Sequence, residues 1–203
     1  MLPQRINLIA YSTLAVIICY IDRVNISVAI IPMQEQFGWS DSQVGFIFSS
    51  FYLGYMLTMA LGGYLSDKFG GKRVLGWGVV LWSIFTILTP LAAHNGFFAL
   101  FFIRVLMGIG EGVTFPAWHS LYARWIPFNE RTRAIAFTNS GVSIGTIIGY
   151  IGTQMIILAM GWEWAFYIFG IVGLVWFIFW NRNVTSYPNE HKRISAEELA
   201  YIQ

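Results

Sequence analysis

The sequence predicts an all-α integral membrane protein, a bundle of six transmembrane helices, and three observations predict it. Hydrophobic residues make up 57% of the 203 positions and charged residues only 11%, against about 25% charged in an ordinary soluble domain. A soluble chain this apolar could not cover its own surface with polar groups. Six stretches approach the roughly 20 apolar residues that a spanning helix needs, at about 7–31, 42–65, 74–93, 97–120, 132–158 and 163–182. The basic residues are also distributed on one side. With the N-terminus in the cytoplasm, the inner segments hold Arg5, Lys68, Lys72, Arg73, Arg124, Arg131, Arg133, Arg182, Lys192 and Arg193, while the outer loops hold only Glu35, Asp41, Glu163 and His94. That is the positive-inside pattern, and it predicts both termini cytoplasmic.

The elements follow in order. The first hydrophobic run, after Arg5, is too long for a signal-peptide core and has no small-residue cleavage site, so it reads as a retained helix. Turn chemistry separates the spans at Pro32–Asp41, Ser66–Arg73, His94–Gly96, Ala123–Arg131 and Met160–Trp162. Residues 1–183 are expected to form the six-helix unit and residues 184–203 to begin a cytoplasmic linker. In that linker Pro188 ends the apolar run, His191-Lys192-Arg193 forms a basic step, and Ser195 with Glu198 forms a capping box that starts a polar helix. The sequence stops at Gln203 as this helix begins, which suggests a chain cut before its natural end. Cys19, the one cysteine, lies in an apolar run, so no disulfide framework exists.

Four charges remain inside the membrane: Asp22, Arg23, Arg104 and Glu111. Each costs roughly 2.5–3.5 kcal/mol at the bilayer centre on insertion scales, so they need a compensating arrangement. One reading is an ion pair that staples helix one to helix four; the other is a solute and proton site. Arg104 and Glu111, seven apart, share a helix face with Gly108 between them, which is expected to leave that face open. Asp22 and Arg23 point about 100° apart, so one can face a cavity while the other contacts a neighbour. Arginine stays charged and can anchor an anion. A carboxylate in low dielectric can exchange protons near neutral pH, a role that suits Glu111 at the midplane better than Asp22 beside an arginine.

Weaker features complete the pattern. Gly141, Gly145 and Gly149 form a small-residue face that suits close helix packing. Asn139 and Ser140 can contact a solute or a neighbouring helix. Phe48, Tyr52, Tyr55 and Met59 share one side of helix two, as packing or as a cavity wall. No metal site, cofactor or nucleic-acid partner is expected.

The stretch Gly63 to Arg73, with Asp67, Gly70, Lys72 and Arg73 at set spacing, resembles the signature loop between helices two and three of the major facilitator superfamily. Arg104 followed by Gly108 and Gly110 is similar to its fourth-helix motif, and Gly161 to Phe166 to its entry into helix six. Asp22 to Ala29 resembles the first-helix motif of the anion:cation symporter family within that superfamily. Glu111, Asn139-Ser140-Gly141 and the tract from Pro188 to Ile202 fit it too. The resemblance implies one half of a twelve-helix proton symporter for an organic anion, a sugar acid or another carboxylate. It implies that Arg23 binds the substrate carboxylate, Tyr55 lines the cavity, Asp22 and Glu111 carry protons, and the loop around Asp67 latches the inner gate. Phe48 stands where vesicular glutamate carriers have histidine, and the loop after helix one is short, which fits a bacterial carrier in the cell inner membrane. Complete members have two halves around a central cavity, so the missing C-terminal six-helix half is an expected partner and this chain alone is not expected to transport.

Other classes fit less well. An intramembrane serine protease needs a Gly-x-Ser-Gly nucleophile site, and Ser140 follows Thr138-Asn139 instead. An ATP-driven pump needs a phosphate-binding loop that this sequence lacks. A half-size membrane subunit without independent transport is the remaining alternative.

Overall fold

The computed structural model describes residues 3–202. Seven α-helices make six membrane crossings: α1 (Gln4–Phe37), α2 (Asp41–Phe69), α3 (Gly71–His94), α4 (Phe97–Gly112) with α5 (Thr114–Trp125), α6 (Phe128–Met160) and α7 (Trp162–Asn183). A 3₁₀ turn at Pro188–Glu190 and the short α8 (Ala196–Ile202) follow. The bundle is all-α and six-spanning, as expected. Its helices overrun the hydropathic spans, because hydropathy marks the part in lipid while a helix continues into water on its own hydrogen bonds. Only Gly70, with φ +85°, separates α2 from α3, so most of the expected 66–73 break is helical. The fourth crossing, expected as one helix over 97–120, is broken at Val113. Pro116 explains the break: it cannot donate to the carbonyl of Gly112, and its ring crowds that carbonyl.

Lipid supplies no hydrophobic drive between helices, so close approach and polar contacts hold them together. Glycines provide the approach at two contacts. On α6, a side chain at Gly145 would put its Cβ 2.5 Å from the carbonyl oxygen of Ile17, and one at Gly141 would sit 3.0 Å from that of Thr13. The small-residue face of α6 therefore packs on α1. Across the bundle, a Cβ on Gly108 would lie 2.9 Å from the backbone nitrogen of Tyr55, and one on Gly54 would lie 2.9 Å from that of Ile109. Gly108 thus does not leave its face open; the backbone of α2 fills it. Indole donors add ties, Trp176 to the carbonyl of Tyr11 (3.1 Å) and Trp180 to that of Lys72 (3.0 Å).

The segment after α7 folds back on the start of the chain. Glu198 of α8 accepts from the backbone N–H groups of Gln4 (2.9 Å) and Arg5 (3.0 Å), so it caps donors that the first turn of α1 cannot satisfy internally. Arg5 bridges Glu198 (3.5 Å) to Glu130 of α6 (3.0 Å). The expected capping box is half formed: Ser195 accepts from the N–H of Glu198 at 3.1 Å, but the Glu198 carboxylate is spent on α1. Two free helix-terminal donors and a guanidinium outcompete the single N–H of Ser195. Both described chain ends therefore sit at the same, basic end of the bundle.

Candidate anion and proton site between α1 and α4

Arg23 reaches from α1 to α4. Its Nη2 and Nε both donate to Oε2 of Glu111, at 3.0 and 3.2 Å, and the Cys19 thiol, one turn earlier on α1, donates to the same oxygen at 3.2 Å. Glu111 is fully buried, whereas the Arg23 side chain keeps 16% of its exposure. Three rings surround the guanidinium: Tyr55 at 4.7 Å, Tyr20 at 4.8 Å and Phe51 at 5.1 Å from the ring centres. Cation–π attraction of this kind is worth about 0.5–2 kcal/mol per ring according to desolvation, and it adds to the Glu111 bonds in fixing the guanidinium.

Asp22 points elsewhere, as its 100° offset from Arg23 requires. It is fully buried, and Trp82 of α3 donates to its Oδ2 at 3.1 Å. Arg104 is also buried and has no carboxylate within ion-pair distance among the described residues. Its guanidinium contacts the Met107 sulfur at 3.2 Å and lies 5.1 Å from the Phe51 ring centre. Phe51 thus neighbours both arginines. Five buried polar atoms here have no hydrogen-bond partner among the described residues: Asp22 Oδ1, Glu111 Oε1, Arg104 Nε and both amide atoms of Asn25. Native interiors satisfy most such groups through protein or ordered water.

The other sequence-derived residues lie outside this cluster, except Tyr55, which stacks on Phe51 at 5.7 Å. Asn139 and Ser140 are exposed on α6; Ser140 donates to the carbonyl of Phe137 at 2.6 Å, and neither hydrogen-bonds to the α1–α4 cluster. At the basic end, Asp67 accepts from Ser120 (3.2 Å) and Arg124 (3.4 Å), tying α2 to α5. Lys72 donates to the carbonyl of Asn181 at 3.0 Å, while Arg73 is exposed and Gly63 faces open space. Cys19, Tyr20, Phe51 and Trp82 are the contributors that sequence reasoning missed. Cys19 had a signal, since it stands four residues before Arg23 on the same helix face. Trp82 had none, because its partner is 60 residues away.

The structure is a six-helix membrane bundle with a buried arginine–carboxylate pair between α1 and α4. The chain belongs to the Major Facilitator Superfamily, whose sequence pattern matches residues 12–200. It is similar to an Arabidopsis thaliana protein named as the chloroplastic ascorbate transporter, with 44% identity over 98% of this chain and 37% of the relative. It is also similar to the chloroplastic sodium-dependent phosphate transport protein 1 of the same plant, with 43% identity over 98% of this chain and 39% of that one. Its fold matches the crystal structure of a bacterial homologue of the human lysosomal transporter Spinster in an inward-facing, occupied state. The TM-score there is 0.82 at 24% identity, over 93% of this chain and 46% of that one. The chain therefore spans about two fifths of the length of these curated relatives and about half of that solved carrier.

Proposed function

We propose that these six helices are the N-terminal half of a secondary carrier that moves an organic anion, a sugar acid or another carboxylate, by proton-coupled alternating access. The observation that carries this reading is the Arg23–Glu111 pair: a permanent cation, boxed by aromatic rings, whose anionic partner is a buried carboxylate able to take a proton. A substrate carboxylate and Glu111 compete for one guanidinium. Protonation of Glu111 releases Arg23 for the substrate, and departure of the substrate returns Arg23 to Glu111 as the proton leaves. Asp22, held by Trp82 a short way off, is the second proton carrier. Tyr55 walls the anion site, Asn139 and Ser140 offer polar contacts from α6, and Arg104 supports Phe51 from behind. Asp67, Gly63, Gly70, Lys72 and Arg73 form the latch that meets the second half at the inner gate.

The relative named for ascorbate supports an organic anion, while the one named for sodium-dependent phosphate makes a different prediction for both solute and coupling ion. We assign the basic end to the cytoplasmic side of a cell inner membrane; the relatives are named chloroplastic, and fractionation of the host decides between the two membranes. The half-size alternative predicts a chain that binds but does not carry. One experiment addresses all of these: the full natural chain in liposomes, offered sugar acids, ascorbate or phosphate under a proton or a sodium gradient. Carboxylate accumulation driven by the proton gradient and lost in Arg23→Ala supports the proposal. Accumulation of phosphate driven by sodium overturns it.

A further inference from the structure

The start of α3 borders two adjoining cavities at the basic end of the bundle. One, of ≈490 Å³, lies among the ends of α2, α3 and α7 and carries Lys68, Lys72 and Arg73 against one acidic side chain, Glu190. The other, of ≈400 Å³, runs between α2, α3 and the fourth crossing and is walled by Leu65, Val74, Leu81, Ile109 and Val113. Phe69, Arg73 and Trp77 belong to both. Arg73, Trp77 and Leu81 recur every four residues, so they form one stripe on α3. Eight residues separate its ends, about 12 Å at 1.5 Å per residue, so the apolar cavity continues the basic one into the bilayer.

Two of the three charges in the basic cavity, Lys68 and Arg73, are in no ion pair among the described residues, while Lys72 donates to the carbonyl of Asn181. Arg73 is exposed and takes part in none of the ion pairs among the described residues. The Lys68 ammonium lies over the rings of Tyr64 (5.7 Å) and Phe69 (5.4 Å). Asp67, the nearest carboxylate in sequence, is turned to Arg124. Trp77 is 64% exposed where the two cavities join, and tryptophan is a residue that favours the membrane interface.

We propose that the two cavities together bind one anionic phospholipid, with its phosphate among Lys68, Lys72 and Arg73 and an acyl chain along the Leu65–Leu81 groove. Basic pockets between helices on the positive side of a membrane protein suit anionic headgroups. A soluble phosphate would use the basic cavity alone; the contiguous apolar groove selects a lipid. Bound there, the lipid touches α2, α3, the fourth crossing and α7, and it lies against the Gly70 turn that joins α2 to α3.

The test is native mass spectrometry of the full natural chain in detergent with added phosphatidylglycerol or phosphatidylcholine, and separately with inorganic phosphate as competitor. Phosphatidylglycerol is expected to be retained in preference, and Arg73→Gln to reduce its retention about fivefold, the effect of one basic residue at a lipid surface, without changing phosphatidylcholine. Leu81→Trp, which fills the groove, is expected to reduce both. The Arg73 side chain makes no ion pair among the described residues, and Lys68→Gln, outside the residues assigned to the latch, supplies a second variant if a gel-filtration profile shows Arg73→Gln misfolded. Equal retention of the two lipids, or full preference in the charge variants, overturns the proposal. Displacement by inorganic phosphate at matched concentration also overturns it, in favour of a soluble-anion site.

Discussion

Arg23 places two nitrogens on a single oxygen of Glu111, at 3.0 and 3.2 Å, and leaves the other oxygen of that carboxylate without a partner. A fork-to-fork pair would use both oxygens and bind more tightly. The one-oxygen geometry is the looser arrangement, and it suits the exchange of partners proposed above for Arg23.

Separation of coupling from binding tests Glu111 directly. In Glu111→Gln the guanidinium loses its competitor and no proton can be taken up at that site. Solute exchange across liposomes should persist in the full natural chain, while proton-driven accumulation should fall to the equilibrium level. Counterflow and gradient-driven uptake, measured on one preparation, check this. Surviving accumulation would make Glu111 a structural partner only.

Removal of Arg23 leaves Glu111 buried without its cation. Loss of one member of a buried pair costs about 3–5 kcal/mol, and the partial exposure of Arg23 places Arg23→Ala near the lower end of that range. The Arg23→Ala/Glu111→Gln double variant should recover part of the loss, because no carboxylate then needs a partner. Thermal unfolding of the four members of the cycle measures the coupling; strictly additive losses would show that the pair contributes nothing beyond its members.

Two glycines with similar sequence surroundings should behave oppositely. A Cβ at Gly108 meets the backbone of α2, so Gly108→Ala should destabilise by about 1–3 kcal/mol, as overpacking does. Gly63, the first glycine of the loop signature, faces open space within 4 Å. Gly63→Ala should therefore leave stability unchanged or raise it by up to about 1 kcal/mol through helix propensity. Thermal unfolding measures both: a loss at Gly63→Ala in these six helices as large as at Gly108→Ala would overturn the open placement of Gly63, whereas a loss confined to the full natural chain would mark a contact with the second half.

The contact between α8 and α1 makes its own prediction. Glu198→Gln retains the shape but weakens a charge-assisted cap and the link to Arg5. Capping losses run to about 1 kcal/mol, so backbone amide exchange at the start of α1 should accelerate several-fold while the α1–α6 core is unaffected. Unchanged exchange at Gln4 and Arg5 would mean that α8 does not dock in solution.

Membrane class, six crossings and the identity of the charged residues were legible in the sequence, because hydropathy and charge are local properties that a bilayer reads directly. Periodicity also separated Asp22 from Arg23, since a helix turns 100° per residue whatever surrounds it. The tertiary structure decided what each residue met. Gly108 was expected to leave space, and α2 filled it, because an absent side chain invites a backbone as readily as a solute. Arg104 and Glu111 share a helix face, yet among the described residues only Glu111 is in an ion pair, since Arg23 of α1 reaches Glu111 while no carboxylate comes within ion-pair distance of Arg104. Trp82, Phe51 and Glu198 gained their roles only from partners far along the chain, and no local pattern can announce a contact that packing alone creates.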